Sequence, residues 1–185
     1  MMAMTEYGGP ELASSFRTVR RNTVQIAEDI PEDKYDFVPA PGTRSVRALL
    51  SHIALAPRLQ DDLHRVNRVT TLQGYDFPAT VARLEIEERK PRGKADLIEL
   101  LKTDGDTFAN WLESLTPDDL NERITDFGSN RPRTRLEHLM GAKEHEMHHR
   151  GQLMLIQRML GGVPHLTRRR EERIRARQQA SGAAR

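Results

Sequence analysis

Glu144-His145-Glu146-Met147-His148-His149-Arg150-Gly151-Gln152 is the stretch on which the reading of this chain turns. It lies within a run of helical spacing. At about 100° per residue, His145 and His149 fall about 40° apart, one turn from each other on one face. Gln152, Leu153, Ile156 and Leu160 continue that face, so both imidazoles point toward a core. Upstream, Thr134-Arg135-Leu136-Glu137 fits a capping box, in which a hydroxyl and a carboxylate satisfy free amides reciprocally. Downstream, Gly161–Gly162 stops the run. A helix from Thr134 to about Leu160 is expected.

Three further segments carry the same periodicity. Leu12, Phe16, Val19, Thr23, Ile26 and Ile30 line one face of a first helix, which Pro31 ends. After the turn Pro39-Ala40-Pro41-Gly42, Thr43 or Ser45 can cap a second helix carrying Val46, Leu49, Leu50, Ile53, Leu59 and Leu63. Pro57 lies inside that run and removes a backbone hydrogen bond, so a kink is expected there. The third helix runs from about Lys94 to Leu115, with Leu97, Leu100, Leu101, Phe108, Trp111, Leu112 and Leu115 on its core face. Thr116–Pro117 stops it and can start a short turn. Residues 68–93 and 116–133 form long links, the first with a helical turn around Ala82–Glu88. Four helices with crossover connections and little strand describe an all-α bundle.

The composition narrows the chemistry. The chain has 185 residues, enough for one domain with a substantial core, and carries no cysteine. Disulfides, thiol nucleophiles and thiolate metal sites are excluded, which leaves histidine and carboxylate as ligands. The net charge of +2 is too small to indicate a nucleic-acid binder. Seven arginines against two glutamates between Leu166 and Arg185 confine the basic character to a tail, best read as a solvated terminus. Residues 1–165 are expected to form one metal-binding bundle domain, and residues 166–185 an Arg-rich tail, helical or disordered. Met1–Pro10 has neither a basic start nor an apolar run, and no stretch approaches the ~20 apolar residues of a membrane span. A cytoplasmic protein without membrane contact is expected.

His52 falls on the inward face of the second helix, among Leu49, Ala56, Leu59 and Leu63. One inward histidine is ordinarily a hydrogen-bonded core residue. Three on two helices, His52, His145 and His149, match the open three-ligand arrangement in which water completes a catalytic metal's coordination. Imidazole suits zinc, nickel, iron or copper, and ligand type alone does not choose. His138 and His148 lie near the same face and either could stand in for a named ligand, while His64 and His165 read as surface or loop residues. Glu146 and Gln152 are candidates to orient the ligands from behind. His145-Glu-Met-His-His149 also matches HExxH, where Glu146 would be the general base of a metallopeptidase. The extended form of that motif needs glycine and histidine where Gln152 and Leu155 stand, so this is the weaker reading.

His148-His149-Arg150-Gly151-Gln152, together with Ile30-Pro-Glu-Asp-Lys-Tyr35, Arg44-Ser-Val-Arg-Ala-Leu-Leu-Ser-His52 and Gly162-Val-Pro-His165, resembles the DinB/YfiT-like family of metal-binding four-helix bundles. The resemblance spans about Glu11 to His165. It implies an up-down-down-up bundle, commonly a homodimer, with His52, His145 and His149 as ligands to a divalent metal, zinc or nickel first and iron next. It also implies a small-molecule substrate and, in S-transferase members, a low-molecular-weight thiol. A thiol-dependent S-transferase or hydrolase is the expected activity, and a non-enzymatic metal-binding stress protein the alternative. Met140, Met147 and Met154 recur every seven residues on the side of helix four away from the histidines, which fits either a homodimer face or packing on another helix.

Overall fold

A computed structural model describes residues 7–128 and 131–183. Met1–Glu6, part of the stretch read as lacking a leader, and the last two residues of the tail lie outside the described residues. Each helix starts where its sequence supplies acceptors for free amides. The Gly8 N–H donates to the Glu11 carboxylate at 3.0 Å, opening α1 (Gly9–Asp29). The Ser45 hydroxyl accepts from the Ala48 N–H at 3.2 Å, opening α2 (Val46–Leu55). Pro57 breaks this helix and sits at the first turn of α3 (Pro57–Asp61). A π-helical turn follows at Asp62–Val66, in which the Asn67 N–H reaches back five residues to the Asp62 carbonyl.

Asp76 caps α4 (Phe77–Glu88), a helix of three turns where the sequence suggested one. Then come α5 (Lys94–Glu113) and α6 (Pro117–Asn121). A short antiparallel pair, β1 (Arg123–Ile124) and β2 (Arg133–Thr134), leads into α7 (Arg135–Met159). The Thr134–Glu137 capping box is formed, and Gly161, with φ of 81°, turns the chain out of the helix. The tail continues as α8 (His165–Ala183), a helix exposed from Arg168 to Ser181.

The bundle is built from α1, α2 with α3, α5 and α7. In one apolar cluster, Ile26 and Ile30 from the end of α1 meet Val46 and Leu50 from the start of α2, Leu97 and Leu101 from the start of α5, and Leu153 and Ile156 from the end of α7. In the second, Leu12 and Phe16 from the start of α1 meet Phe108 and Leu112 from the end of α5 and Leu139 from the start of α7. Those pairings make α1 and α7 run one way and α2 and α5 the other, the up-down-down-up order. Parallel neighbours such as α2 and α5 cannot be joined by a tight turn, which accounts for the long link carrying α4.

Between the clusters lies a buried ion pair that touches all four bundle helices. Arg20 of α1 meets both Glu146 carboxylate oxygens of α7 at 3.0 Å. It also donates to the Leu101 carbonyl of α5 at 2.9 Å and the Ile53 carbonyl of α2 at 3.2 Å. The Ile53 carbonyl is free because its helical partner would be the N–H of residue 57, and Pro57 has none. Gly105 makes room for the arginine, since a Cβ there would lie 2.8 Å from Arg20 Cγ. The seven-residue methionine stripe divides. Met140 and Met154 pack against the two core clusters, and Met147 alone stays 43% exposed. Among the described residues, no helix is long and apolar enough to cross a membrane.

Candidate metal centre

α2 and α7 pack together near the polar layer, and their inward faces bring three imidazoles to one point. His52 Nε2 lies 3.1 Å from His145 Nε2, which lies 3.2 Å from His149 Nε2. One ring nitrogen from each residue falls within a common span of 4.8 Å. His145 and His149 meet because four residues make slightly more than a turn of α7; His52 joins them because the Ser45 cap sets where α2 begins.

The outer nitrogens decide what the inner ones can do. His52 Nδ1 is 2.8 Å from Glu88 Oε1, at the end of α4. A carboxylate only accepts, so Nδ1–H donates and Nε2 keeps its lone pair. His149 Nδ1 donates to Gln152 Oε1 at 2.7 Å, with the same consequence, and the Gln152 amide in turn donates to His148 Nε2 at 3.2 Å. These two acceptors flank His145 Nε2, which adds a third lone pair when its ring proton sits on Nδ1; in that tautomer a cation between the three nitrogens satisfies them all. A tetrahedral ion with ligands at about 2.0–2.1 Å would space them by roughly 3.3–3.4 Å, close to the 3.1 and 3.2 Å that separate His145 Nε2 from the other two. Burial holds the His145 pKa down to about 4, helped by the neighbouring His149 and His52, and burial also lowers that of His149. Both rings are therefore neutral at pH 7 and able to ligate. Three imidazoles with no thiolate fit zinc, nickel, iron or copper.

Other sequence candidates go elsewhere. Glu146 turns away from the histidines into the Arg20 ion pair, buried in the core. Its carboxylate is thereby unavailable as an HExxH general base or as a prop for the imidazoles. Gln152 does hold His149, whereas His148 stands on the outer side of Gln152 and His138 lies beside His64 with its Nε2 3.5 Å from Asp126. His64 and His165, read from sequence as surface or loop residues, are both buried. The π-helical turn swings His64 inward, where its Nδ1 accepts from the buried Arg135 at 2.9 Å, and His165 Nε2 bonds the Asn22 side chain at 3.1 Å. Glu88 and Arg44 carry no role in the sequence reading. The signal for Glu88 is its place at the end of the Ala82–Glu88 helical turn, and Arg44 figures only as the first residue of the Arg44–His52 stretch that carries the resemblance.

Two cavities adjoin the cluster. One, of about 370 Å³, is bounded by His52, His145, Glu88, Leu59 and Leu84. The other, of about 680 Å³, is bounded by His149, Gln152, Leu155, Ile156 and Met159. Arg44 belongs to the wall of both.

Comparison with known proteins gives consistent relatives. A family model of the DinB superfamily matches residues 15–153. The uncharacterized protein YjoA of Bacillus subtilis is 28% identical over 154 residues, which are 82% of this chain and 90% of YjoA. Its crystal structure, as a DinB-like protein, aligns with a TM-score of 0.60 at 25% identity, covering 83% of this chain and 94% of that one. YfiT from Bacillus subtilis, described as a probable metal-dependent hydrolase with an unusual four-helix bundle topology, aligns with a TM-score of 0.63 at 15% identity, covering 88% and 93%. A DinB-like protein from Bacillus cereus gives 0.63 at 19% identity, covering 83% and 93%. With a match across most of its bundle, the chain belongs to the DinB superfamily.

Proposed function

We propose that this protein is a metal-dependent enzyme acting on a small molecule, with His52, His145 and His149 as the ligands of one divalent ion. The observation that carries the reading is the convergence of three Nε2 atoms, two of them fixed as acceptors by Glu88 and Gln152. Zinc or nickel is the first choice and iron the next. A divalent ion held there supplies Lewis acidity, lowering the pKa of water or a thiol and fixing its position for attack. Glu88 and Gln152 keep the rings turned inward, and Arg20 keeps the Glu146 carboxylate from competing for the same ion. Cavities on both sides of the cluster favour a substrate-handling site over a purely structural one.

Hydrolysis is the leading reaction, in keeping with the description of YfiT. Transfer to a low-molecular-weight thiol is the second reading. Two separate cavities can seat two substrates, and a chain without cysteine must take its thiol from a cosubstrate. A homodimer through the α7 face bearing Met147 is part of the proposal, and sedimentation equilibrium checks it. The first experiment is elemental analysis of tag-free protein beside His52→Ala. About one equivalent of metal, lost in the variant, is the expected result. Protein that cannot be loaded with zinc, nickel or iron would make the three histidines structural. Loaded protein is then screened for hydrolysis of small esters and amides, with and without added thiol.

A further inference from the structure

Arg44 has no hydrogen-bond or ion-pair partner among the described residues, although it stands beside the histidines and joins the walls of both cavities. Its neighbour Arg47 is used structurally, held by Asp36 at 2.8 Å and by the Arg92 carbonyl. Arg44 is left free by a loop that is itself well tied. The Thr43 hydroxyl donates to the Ala40 carbonyl at 2.7 Å, and Gly42 takes a φ of 78° that ordinary side chains disfavour. Immediately after Arg44, Ser45 caps α2. The loop fixes the Arg44 backbone, and its exposed side chain, with no counter-charge among the described residues, is available to a ligand's anion.

The larger cavity describes the rest of that ligand. Its wall is largely apolar, with Leu155 and Met159 exposed there and Ile156 behind them; among the described residues of that wall, Arg44 is the one arginine, and no lysine or carboxylate joins it. Exposed leucine and methionine beside a free guanidinium form an amphipathic seat. A single guanidinium matches a carboxylate in charge and in two-point geometry, whereas a phosphate dianion would leave one charge uncompensated. We propose that the substrate is an amphipathic carboxylate, its anionic group on Arg44, its apolar body against Leu155, Ile156 and Met159, and its reacting group at the three histidines. This rests on the metal-site reading for the position of the reacting group, but not for the seat itself.

Calorimetric titration of zinc-loaded protein with octanoate, octanamide and acetate tests it, with metal content measured in the same samples. Octanoate should bind at least about tenfold more tightly than either the neutral or the short probe, as expected for a charge-assisted contact plus apolar burial. Arg44→Gln should bring octanoate down to the octanamide level with zinc retained, and Arg44→Lys should keep part of the preference. Undiminished octanoate binding in Arg44→Gln would overturn the proposal. So would binding that survives in Arg44→Gln but disappears on zinc removal, because the carboxylate would then be a metal ligand. Protein that takes up no zinc yet shows the Arg44-dependent preference would defeat the metal reading and uphold the seat.

Discussion

Glu88 and Gln152 reach the outer nitrogens of two histidines from different helices, so orientation of the ligands can be separated from ligation. Glu88→Gln removes the charge behind His52 while keeping the side chain's size. Metal affinity measured by chelator competition should fall by about 10–100-fold with the helical circular dichroism unchanged; equal affinity would reduce Glu88 to a bystander. The Arg20 pair makes a different prediction. Arg20→Met strands the Glu146 carboxylate in the core and should cost about 3–5 kcal/mol in denaturant unfolding. Adding Glu146→Leu removes the stranded charge but not the problem at Ile53, whose carbonyl has lost both the helical donor and the arginine. The double variant should therefore remain about 1–3 kcal/mol less stable than wild type. Full recovery would mean that water reaches that carbonyl. These cases show which residues a sequence reveals. The His145–His149 pair is legible because its spacing belongs to one helix. Glu88 meets His52 across 36 positions of chain, and the fit of Arg20 depends on Pro57 and Gly105 in two other helices.

Elements were legible where local chemistry sets both ends. The Thr134 box and Gly161 bound α7, Pro31 follows α1, and Pro57 breaks the second helix at the expected place. Two elements were not. Asp76 caps a full helix in α4, but Gly74, Pro78 and Pro91 in the same stretch read as loop, and its apolar face is short. The π-helical turn at Asp62–Val66 leaves little mark in the periodicity, yet it carries His64 into the core beside Arg135. Thr134→Ala tests the cap directly. The Thr134 hydroxyl accepts from the Glu137 N–H at 3.2 Å, and its loss should cost about 1 kcal/mol in denaturant unfolding. A change near zero would show that the Glu137 carboxylate caps α7 alone. The tail gives the opposite expectation. From Arg168 to Ser181, α8 lays exposed side chains along its length, and the Arg168–Asp29 pair is partly solvated. Truncation after Thr167 should shift the melting temperature by no more than a degree or two, on the order of a few tenths of a kcal/mol. A larger loss would make α8 part of the bundle's support.

For the whole molecule, the buried His64 outside the cluster and the half-buried His145 within it should make the metal-free protein acid-sensitive above the range of ordinary carboxylate titration. His64 is held down to about 3 by burial first and by Arg135 next, and His145 to about 4 by burial first and the adjacent imidazoles next. In the unfolded chain both return to about 6.5. Between these values the unfolded state binds protons that the native state refuses. Stability is therefore highest above pH 6.5 and falls as pH drops, by about 1.4 kcal/mol per pH unit for each histidine kept neutral. For His145 the loss ends near pH 4, and for His64 near pH 3. Urea unfolding of chelator-treated protein between pH 7 and pH 5 should show the combined slope. His64→Gln retains an acceptor for Arg135 while removing one titrating group, so its slope should be shallower by about 1.4 kcal/mol per unit. Saturating zinc should add stability at pH 7, about 2.7 kcal/mol at one hundred times its dissociation constant. That increment should shrink on acidification, since protons then compete for the ligand nitrogens. An identical slope in wild type and His64→Gln would mean that the His64 side chain is hydrated in solution, and the buried contact with Arg135 would have to be abandoned.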